Sequence, residues 1–214
     1  MSALVHVVRH GEVFNPEGVL YGRLPGYRLS ELGLAMAERV ATAMLARPIT
    51  LVVSSPLERA QQTAAPTAAA LGLPVEIDER VIEADNLFEG RRFSVGDNAL
   101  LHPQAWWHLR NPFRPSWGEP YDVVAARMLA AITDAAAVAD DGEAMVVSHQ
   151  LPIWTARNAA EGHRLWHDPR HRQCSLASVT TFTVADGEIT SVGYTEPARD
   201  LLPVKPARRY QAGA

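Results

Sequence analysis

Leu4-Val5-His6-Val7-Val8-Arg9-His10-Gly11-Glu12 is the stretch on which the fold turns. Its first five residues are short and mostly apolar and β-branched, the composition of a buried strand, and they break abruptly at Arg9-His10-Gly11-Glu12. Two basic side chains therefore sit where a strand opens into a loop. Working outward, Ser30 is a good N-cap, and Leu32, Met36 and Val40 recur at four-residue spacing up to Pro48, which predicts an amphipathic helix. Leu51-Val52-Val53 reads as a second strand. Ser54-Ser55-Pro56 then sets up another helix, with Ser55 as its cap and Pro56 in its first turn, ending near Gly72. Val75-Glu76-Ile77 reads as a third strand. Helical spacing returns at Val124, Met128 and Ile132, and Ala144-Met145-Val146-Val147 forms a buried strand that ends at Ser148-His149. A short helix from about Pro152 follows. Strands near 177–184 and 189–194 flank an Asp186-Gly187 turn. Strands alternating with helices predict an α/β fold: a three-layer α/β/α sandwich with a mainly parallel central sheet.

The 214 residues, 47% hydrophobic and 21% charged, supply enough apolar material for a full core. No Gly/Ser-rich, Pro-rich or single-charge run marks a linker before residue 195, so one domain over 1–196 is expected. Residues 84–118 hold neither helical nor strand period and read as a cap-like insertion. Residues 197–214 mix Pro, Arg, Lys, Gly and Ala and read as a partly ordered tail.

A net charge of −4 argues against nucleic-acid binding, which calls for an excess of Lys and Arg on one face. The single cysteine, Cys174, excludes an intrachain disulfide and points to a reducing compartment. The amino terminus carries no basic region and no apolar run of signal-peptide length, and no stretch is long enough to cross a bilayer, so a cytoplasmic protein without membrane contact is expected.

His10 and His149 each follow a separate apolar strand, and ligands of open α/β sheets bind outside the carboxyl ends of the strands. Arg9 adjoins the first histidine. Arg59 falls at the start of the helix after the second strand, at the same edge. Two arginines and two histidines there describe a phosphate pocket, because the planar guanidinium donates paired hydrogen bonds to phosphate oxygens and keeps its charge. Any one of these residues alone would more often be a satisfied buried histidine or a solvated helix arginine; the combination carries the reading.

Val8-Arg9-His10-Gly11-Glu12 resembles the signature of the histidine phosphatase superfamily, which includes phosphoglycerate mutases, fructose-bisphosphatases and broad phosphomonoesterases. Four further blocks follow in order. Ser54-Ser55-Pro56-Leu57-Glu58-Arg59-Ala60-Gln61-Gln62-Thr63 is similar to the second phosphate-binding block, and Glu83 with Phe88-Glu89-Gly90 to the acidic block. Gly118-Glu119 with Arg127 resembles the block that opens the next long helix, and Val146-Val147-Ser148-His149 the last catalytic block. The resemblance implies a phosphoglycerate mutase-like fold and phosphoryl transfer to His10. Arg9, Arg59 and His149 would then hold the equatorial oxygens, and Glu83 would protonate the departing oxygen. Asn15 resembles the asparagine that donates to the phosphoryl group, and Gln150, standing where glycine is common, joins it among the substrate-binding residues at the rim. Pro120 also departs from the pattern, which usually has a small hydroxyl residue there. Asp85 and Glu89 are rival acids to Glu83.

Phosphoglycerate mutases of this family have Arg-His-Tyr-Gly after the catalytic glutamate, whereas Ala84-Asp85-Asn86-Leu87 follows Glu83 here. Hydrolysis of a small phosphorylated metabolite is therefore favoured, with a 2,3-bisphosphoglycerate-dependent mutase as the alternative and an inactive binding protein on the same fold as the alternative of another class. No metal or cofactor is expected, because the arginines already neutralise phosphate; a homodimer is left open. Trp106, Trp107, Phe113 and Trp117 interleave with His102, His108, Arg110 and Arg114, a pattern that fits either a cap over the leaving group or simple packing of the insertion. His163, His167 and His171 recur every four residues, a metal-ligand spacing on a helix, although Pro169 interrupts that helix. Cys174 reads as a small buried residue.

Overall fold

The computed structural model describes residues 2–92, 111 and 115–202. Six strands form one sheet in the order β3-β2-β4-β1-β5-β6. They are β1 (Ser2–Arg9), β2 (Ile49–Ser54), β3 (Val75–Ile77), β4 (Glu143–Ser148), β5 (Val179–Ala185) and β6 (Glu188–Thr195). The first four run parallel, while β5 is antiparallel to β1 and β6 antiparallel to β5. Among the described residues four α-helices cover this sheet: α1 (Glu31–Met44), α2 (Glu58–Leu71), α3 (Tyr121–Ala139) and α4 (Gln150–Ala160). None of them is long and apolar enough to cross a membrane.

The strand pleat sorts the core into two halves. Val5, Val7, Val53, Ala144, Val146 and Phe182 face Met128 and Ile132 of α3 and Ile153 of α4. Val8, Val52, Met145 and Val147 face the other way, onto Met36 and Val40 of α1 and Ala60 and Ala64 of α2. This is the three-layer α/β/α arrangement. The central parallel strands carry apolar residues on both faces because both faces are covered. His6, in the middle of β1, is buried but satisfied by Thr181 Oγ1 at 2.9 Å and Glu143 Oε2 at 2.7 Å.

The turns carry three differences from the sequence reading. Ser30 caps α1 as expected, accepting from Gly33 N at 3.0 Å. Ser55 does not cap α2, which begins at Glu58 after Leu57; its hydroxyl lies 2.8 Å from His149 Nε2 on the neighbouring strand end and accepts locally only from Leu57 N, at 3.4 Å. The helix after β4 begins at Gln150, two residues before Pro152. Residues beyond 196 also contribute to the core: Ala198 is buried against the α1–α2 face and Leu201 packs beside it. The ends of the insertion are pinned together by Leu87 N donating to Trp117 O at 2.8 Å and Glu119 N donating to Asp85 O at 3.2 Å. The aromatic and basic residues expected between 102 and 114 lie outside the described residues; Trp117 is buried.

Candidate active site

Strand register creates the site. Arg9 of β1 aligns with Ser148 of β4, and Ser54 of β2 aligns with Val147 of β4. The next residues, His10, His149 and Ser55, therefore emerge together at the carboxyl edge of three adjacent parallel strands, and the two imidazole centroids lie 5.1 Å apart. His10 N donates to Ser148 O at 3.2 Å, and Ser55 N to Val147 O at 2.9 Å, so the backbone pairing extends into the loops.

His10 is fully buried. Its Nδ1 lies 2.8 Å from Gly11 O, which assigns the proton to Nδ1 and leaves the lone pair on Nε2. Arg59 Nε donates to that Nε2 at 3.3 Å. Burial pulls the imidazole well below its ordinary range, and the charges of Arg59 and Arg9 act in the same direction, so the ring is neutral near pH 7. The loop that holds it is tightly packed. Gly11 N donates to Thr63 Oγ1 at 3.1 Å, and a Cβ on Gly11 would come within 2.6 Å of Gly33 O. Glu12 fastens the same loop to α1, accepting from Ser30 Oγ at 2.5 Å.

The arginines are unusual for what they lack. Arg59 is 1% exposed and Arg9 6% exposed, yet neither has a carboxylate partner among the described residues. Arg59 Nη2 donates to Gly22 O at 2.6 Å and its guanidinium lies 4.7 Å from the Tyr21 ring centroid. Arg9 Nη1 donates to Cys174 O at 2.6 Å, while its buried Nε has no partner among the described residues. Burying uncompensated charge is costly, and such a pair is retained where an anion completes it.

His149 is likewise fully buried; burial, then Arg59 and the neighbouring His10, lower it well below the ordinary value. Ser55 Oγ lies 2.8 Å from its Nε2, and Nδ1 has no partner among the described residues. Glu83, 3% exposed, accepts from Ala84 N at 2.8 Å through Oε1, and its buried Oε2 has no partner among the described residues. Burial raises its pKa, against the lowering by its own hydrogen bond and by Arg59, which favours the protonated acid.

The two rival acids are placed differently. Asp85 is exposed, and Glu89 is half-buried with Oε1 accepting from Arg23 N at 2.7 Å, although burial raises its pKa too. Asn15 is turned to its own loop, with Nδ2 donating to Val19 O at 2.8 Å and Oδ1 accepting from Val19 N at 3.2 Å. Gln150 is buried beside His149, where its Oε1 lies 3.4 Å from Arg172 Nη1. Glu119 is bridged by Arg127, at 2.8 and 3.0 Å, and by Arg23 at 2.9 Å, an ionic clamp on the start of α3. His163, His167 and His171 do not share a helix: α4 ends at Ala160, and His171 closes a separate 3₁₀ turn over Pro169–His171.

Tyr21 and Arg172 are site neighbours that the sequence does not single out, and Thr63, the last residue of the second phosphate-binding block, holds the His10 loop through Gly11 N. Thr63 sits one helical turn after Arg59, and that i+4 spacing was the available signal.

Fold and site together define an α/β protein with a buried, doubly cationic pocket around paired strand-end histidines. Residues 5–197 match the sequence model of the histidine phosphatase superfamily (branch 1), and the chain belongs to that superfamily. It is 55% identical over 194 residues to an uncharacterised Mycobacterium tuberculosis protein, Rv0525, covering 91% of this chain and 96% of that one. Among solved structures it resembles Mycobacterial hydrolase 1, at 26% identity and TM-score 0.71 over 91% of this chain and 96% of that one. It also resembles the mycobacterial glucosyl-3-phosphoglycerate phosphatase Rv2419c complexed with VO3, at 27% identity and TM-score 0.67 over 84% and 92% of the two chains. Membership and these relatives indicate an enzyme of the phosphatase or mutase kind.

Proposed function

We propose that the protein hydrolyses small phosphomonoesters through a phosphohistidine on His10. The observation that carries this reading is the pair of buried guanidiniums without carboxylate partners among the described residues, beside a neutral histidine whose Nε2 holds the lone pair. Nε2 attacks phosphorus in line, and the bond to the ester oxygen breaks. Arg9, Arg59 and His149 hold the three equatorial oxygens as charge redistributes among them. The proton held by Glu83 goes to the departing oxygen. Water then attacks the phosphohistidine and gives its proton to the Glu83 carboxylate; inorganic phosphate leaves, and both side chains return to their starting states.

Hydrolysis is preferred to return of the phosphoryl group because Ala84-Asp85-Asn86-Leu87 follows Glu83, where the phosphoglycerate mutases of the family carry Arg-His-Tyr-Gly. The arginines supply the charge stabilisation that a metal would, so chelators leave turnover unchanged. His10→Ala is expected to abolish release of phosphate from p-nitrophenyl phosphate. It should also abolish an acid-labile phosphoryl adduct that rapid quenching traps on the wild type. Wild-type turnover by His10→Ala would end this reading.

A further inference from the structure

The cleft beside Glu83 contains a cation that hydrolysis of a simple monoester does not use. Arg172, Glu83, Asp85, Glu119, Trp117 and Tyr121 line it together. Its carboxylates are largely silenced. Glu83 is held towards its protonated form by burial, Glu119 is bridged by two arginines, and Asp85 is exposed, where water screens it. Arg172 has no carboxylate partner among the described residues. Nearby basic residues differ in this respect: Arg170 is paired with Asp168, and both Arg157 and His163 with Glu161.

Arg172 is also held in place. His167 Nδ1 lies 2.6 Å from Leu165 O, which assigns that nitrogen the proton and leaves Nε2 to accept from Arg172 Nε at 2.8 Å. Burial, then the charge of Arg172, lowers His167 to about 4, so the imidazole is a neutral acceptor at physiological pH. Its ring is packed between Tyr121, 5.4 Å away, and Trp154, 6.0 Å away. On the other side Gln150 Oε1 lies 3.4 Å from Arg172 Nη1. The Nη2 group makes no hydrogen bond among the described residues. A guanidinium fixed through Nε and Nη1 by neutral acceptors keeps its full charge and one free donor group, the form suited to binding an anionic oxygen.

We propose that Arg172 is a second anion-binding residue of this site, and that the preferred phosphomonoester carries a carboxylate or a second phosphate on its leaving portion. The proposal rests on the hydrolase reading and extends it to the substrate class. His167 and Gln150 act as positioning residues. The phosphoryl group to be transferred sits among His10, Arg9, Arg59 and His149, and the second anion sits across Glu83 against Arg172. Glu83 then lies between the two anions, beside the ester oxygen that must receive its proton.

The test compares kcat/KM for 3-phosphoglycerate, fructose 1,6-bisphosphate and p-nitrophenyl phosphate in the wild type, Arg172→Gln and Arg172→Lys. In Arg172→Gln, the preference for an anionic probe over p-nitrophenyl phosphate should fall about 10- to 100-fold, carried by KM, since a charge-assisted contact is worth roughly one to two decades. Arg172→Lys should recover part of it. The probe that loses more identifies the anion as carboxylate or phosphate. His167→Phe, which keeps the ring between Tyr121 and Trp154 but removes the acceptor, should raise KM for the same probe severalfold. Melting curves identify a variant that fails to fold, and Arg172→Lys then carries the comparison. Turnover of p-nitrophenyl phosphate with a preference unchanged in every Arg172 variant overturns the second anion site alone. A wild type silent towards all three probes overturns the hydrolase reading and this one with it.

Discussion

Replacing Arg59 by Met should remove activity while leaving the empty protein as stable as before, or more so. Arg59 is 1% exposed, has no carboxylate partner among the described residues, and shares its pocket with Arg9. Desolvating such a charge costs several kcal/mol even after relaxation. Against that gain, Arg59→Met leaves Gly22 O without its 2.6 Å donor, a penalty of about 1–3 kcal/mol, and leaves the weaker 3.3 Å contact to His10 Nε2 unmade. The unbranched Met side chain still packs against Tyr21. The balance is neutral to favourable by about 1–2 kcal/mol, or roughly 2–8 °C in melting temperature for a chain of this size.

Phosphate reverses the ranking. At a hundredfold excess over its dissociation constant it should stabilise the wild type by about 2.7 kcal/mol, roughly 5–11 °C, whereas Arg59→Met should gain little. Turnover should fall about 100- to 1,000-fold, the range for removing one donor from a transition-state oxygen. The assay is thermal denaturation with and without inorganic phosphate, together with kcat/KM for p-nitrophenyl phosphate on the same preparations. A variant that melts many degrees lower in phosphate-free buffer, or one that keeps the wild-type phosphate shift, would refute the claim that this guanidinium is stored for an anion.

Glu83→Gln should slow hydrolysis of alkyl phosphates about 100- to 10,000-fold but p-nitrophenyl phosphate far less, because nitrophenolate departs without a proton; equal losses on both would remove Glu83 as the acid. The rate should also be bell-shaped in pH, falling on the acid side as His10 is protonated and on the alkaline side as Glu83 loses its proton, and a profile flat on both sides would contradict the assignment. For stability, His10 and His149 have folded pKa values below the ordinary 6.5. The unfolded chain therefore binds the extra protons first, and stability present above pH 6.5 is lost as pH falls below it, by up to about 1.4 kcal/mol per unit for each histidine. Denaturant titrations of the wild type and His10→Asn between pH 7 and 5 should differ in slope accordingly, and parallel slopes would show that His10 is not buried neutral. Incubation with EDTA should leave p-nitrophenyl phosphate turnover unchanged, and loss of activity restored by Zn²⁺ would reopen a metal-dependent mechanism.

The parts of this molecule readable from its sequence are those in which one local pattern has one physical cause. Val5, Val7 and Val8 are apolar because both faces of β1 are covered, and the break at Arg9-His10 marks a strand end because ionisable groups need that edge. Ser30 was legible as a cap for the same reason: its hydroxyl has one local donor to satisfy, Gly33 N. Ser55 was misread because a hydroxyl before a helix has two outlets, and the winning one, His149 Nε2, is 94 residues away in the chain. Asn15 shows the reverse case: a residue matched to a phosphate-binding role has its amide engaged by Val19, four residues on.

Arg172 was invisible for a further reason. Its segment, His163 to Arg172, reads as a histidine repeat only while it is imagined as a helix, and Pro169 opens a separate 3₁₀ turn there. Once the repeat is broken, His167 is free to pack between Tyr121 of α3 and Trp154 of α4, and its remaining nitrogen fixes an arginine beside Glu83. Motif blocks capture the chemistry of phosphorus because, on one fold, attack, charge stabilisation and proton transfer call for the same residue types at the same strand ends. The group that would recognise the rest of the substrate answers to a particular leaving portion and is built from contacts between distant elements. A specificity residue in such a fold is therefore found by asking which charge near the acid lacks a carboxylate partner, and among the described residues that charge is Arg172.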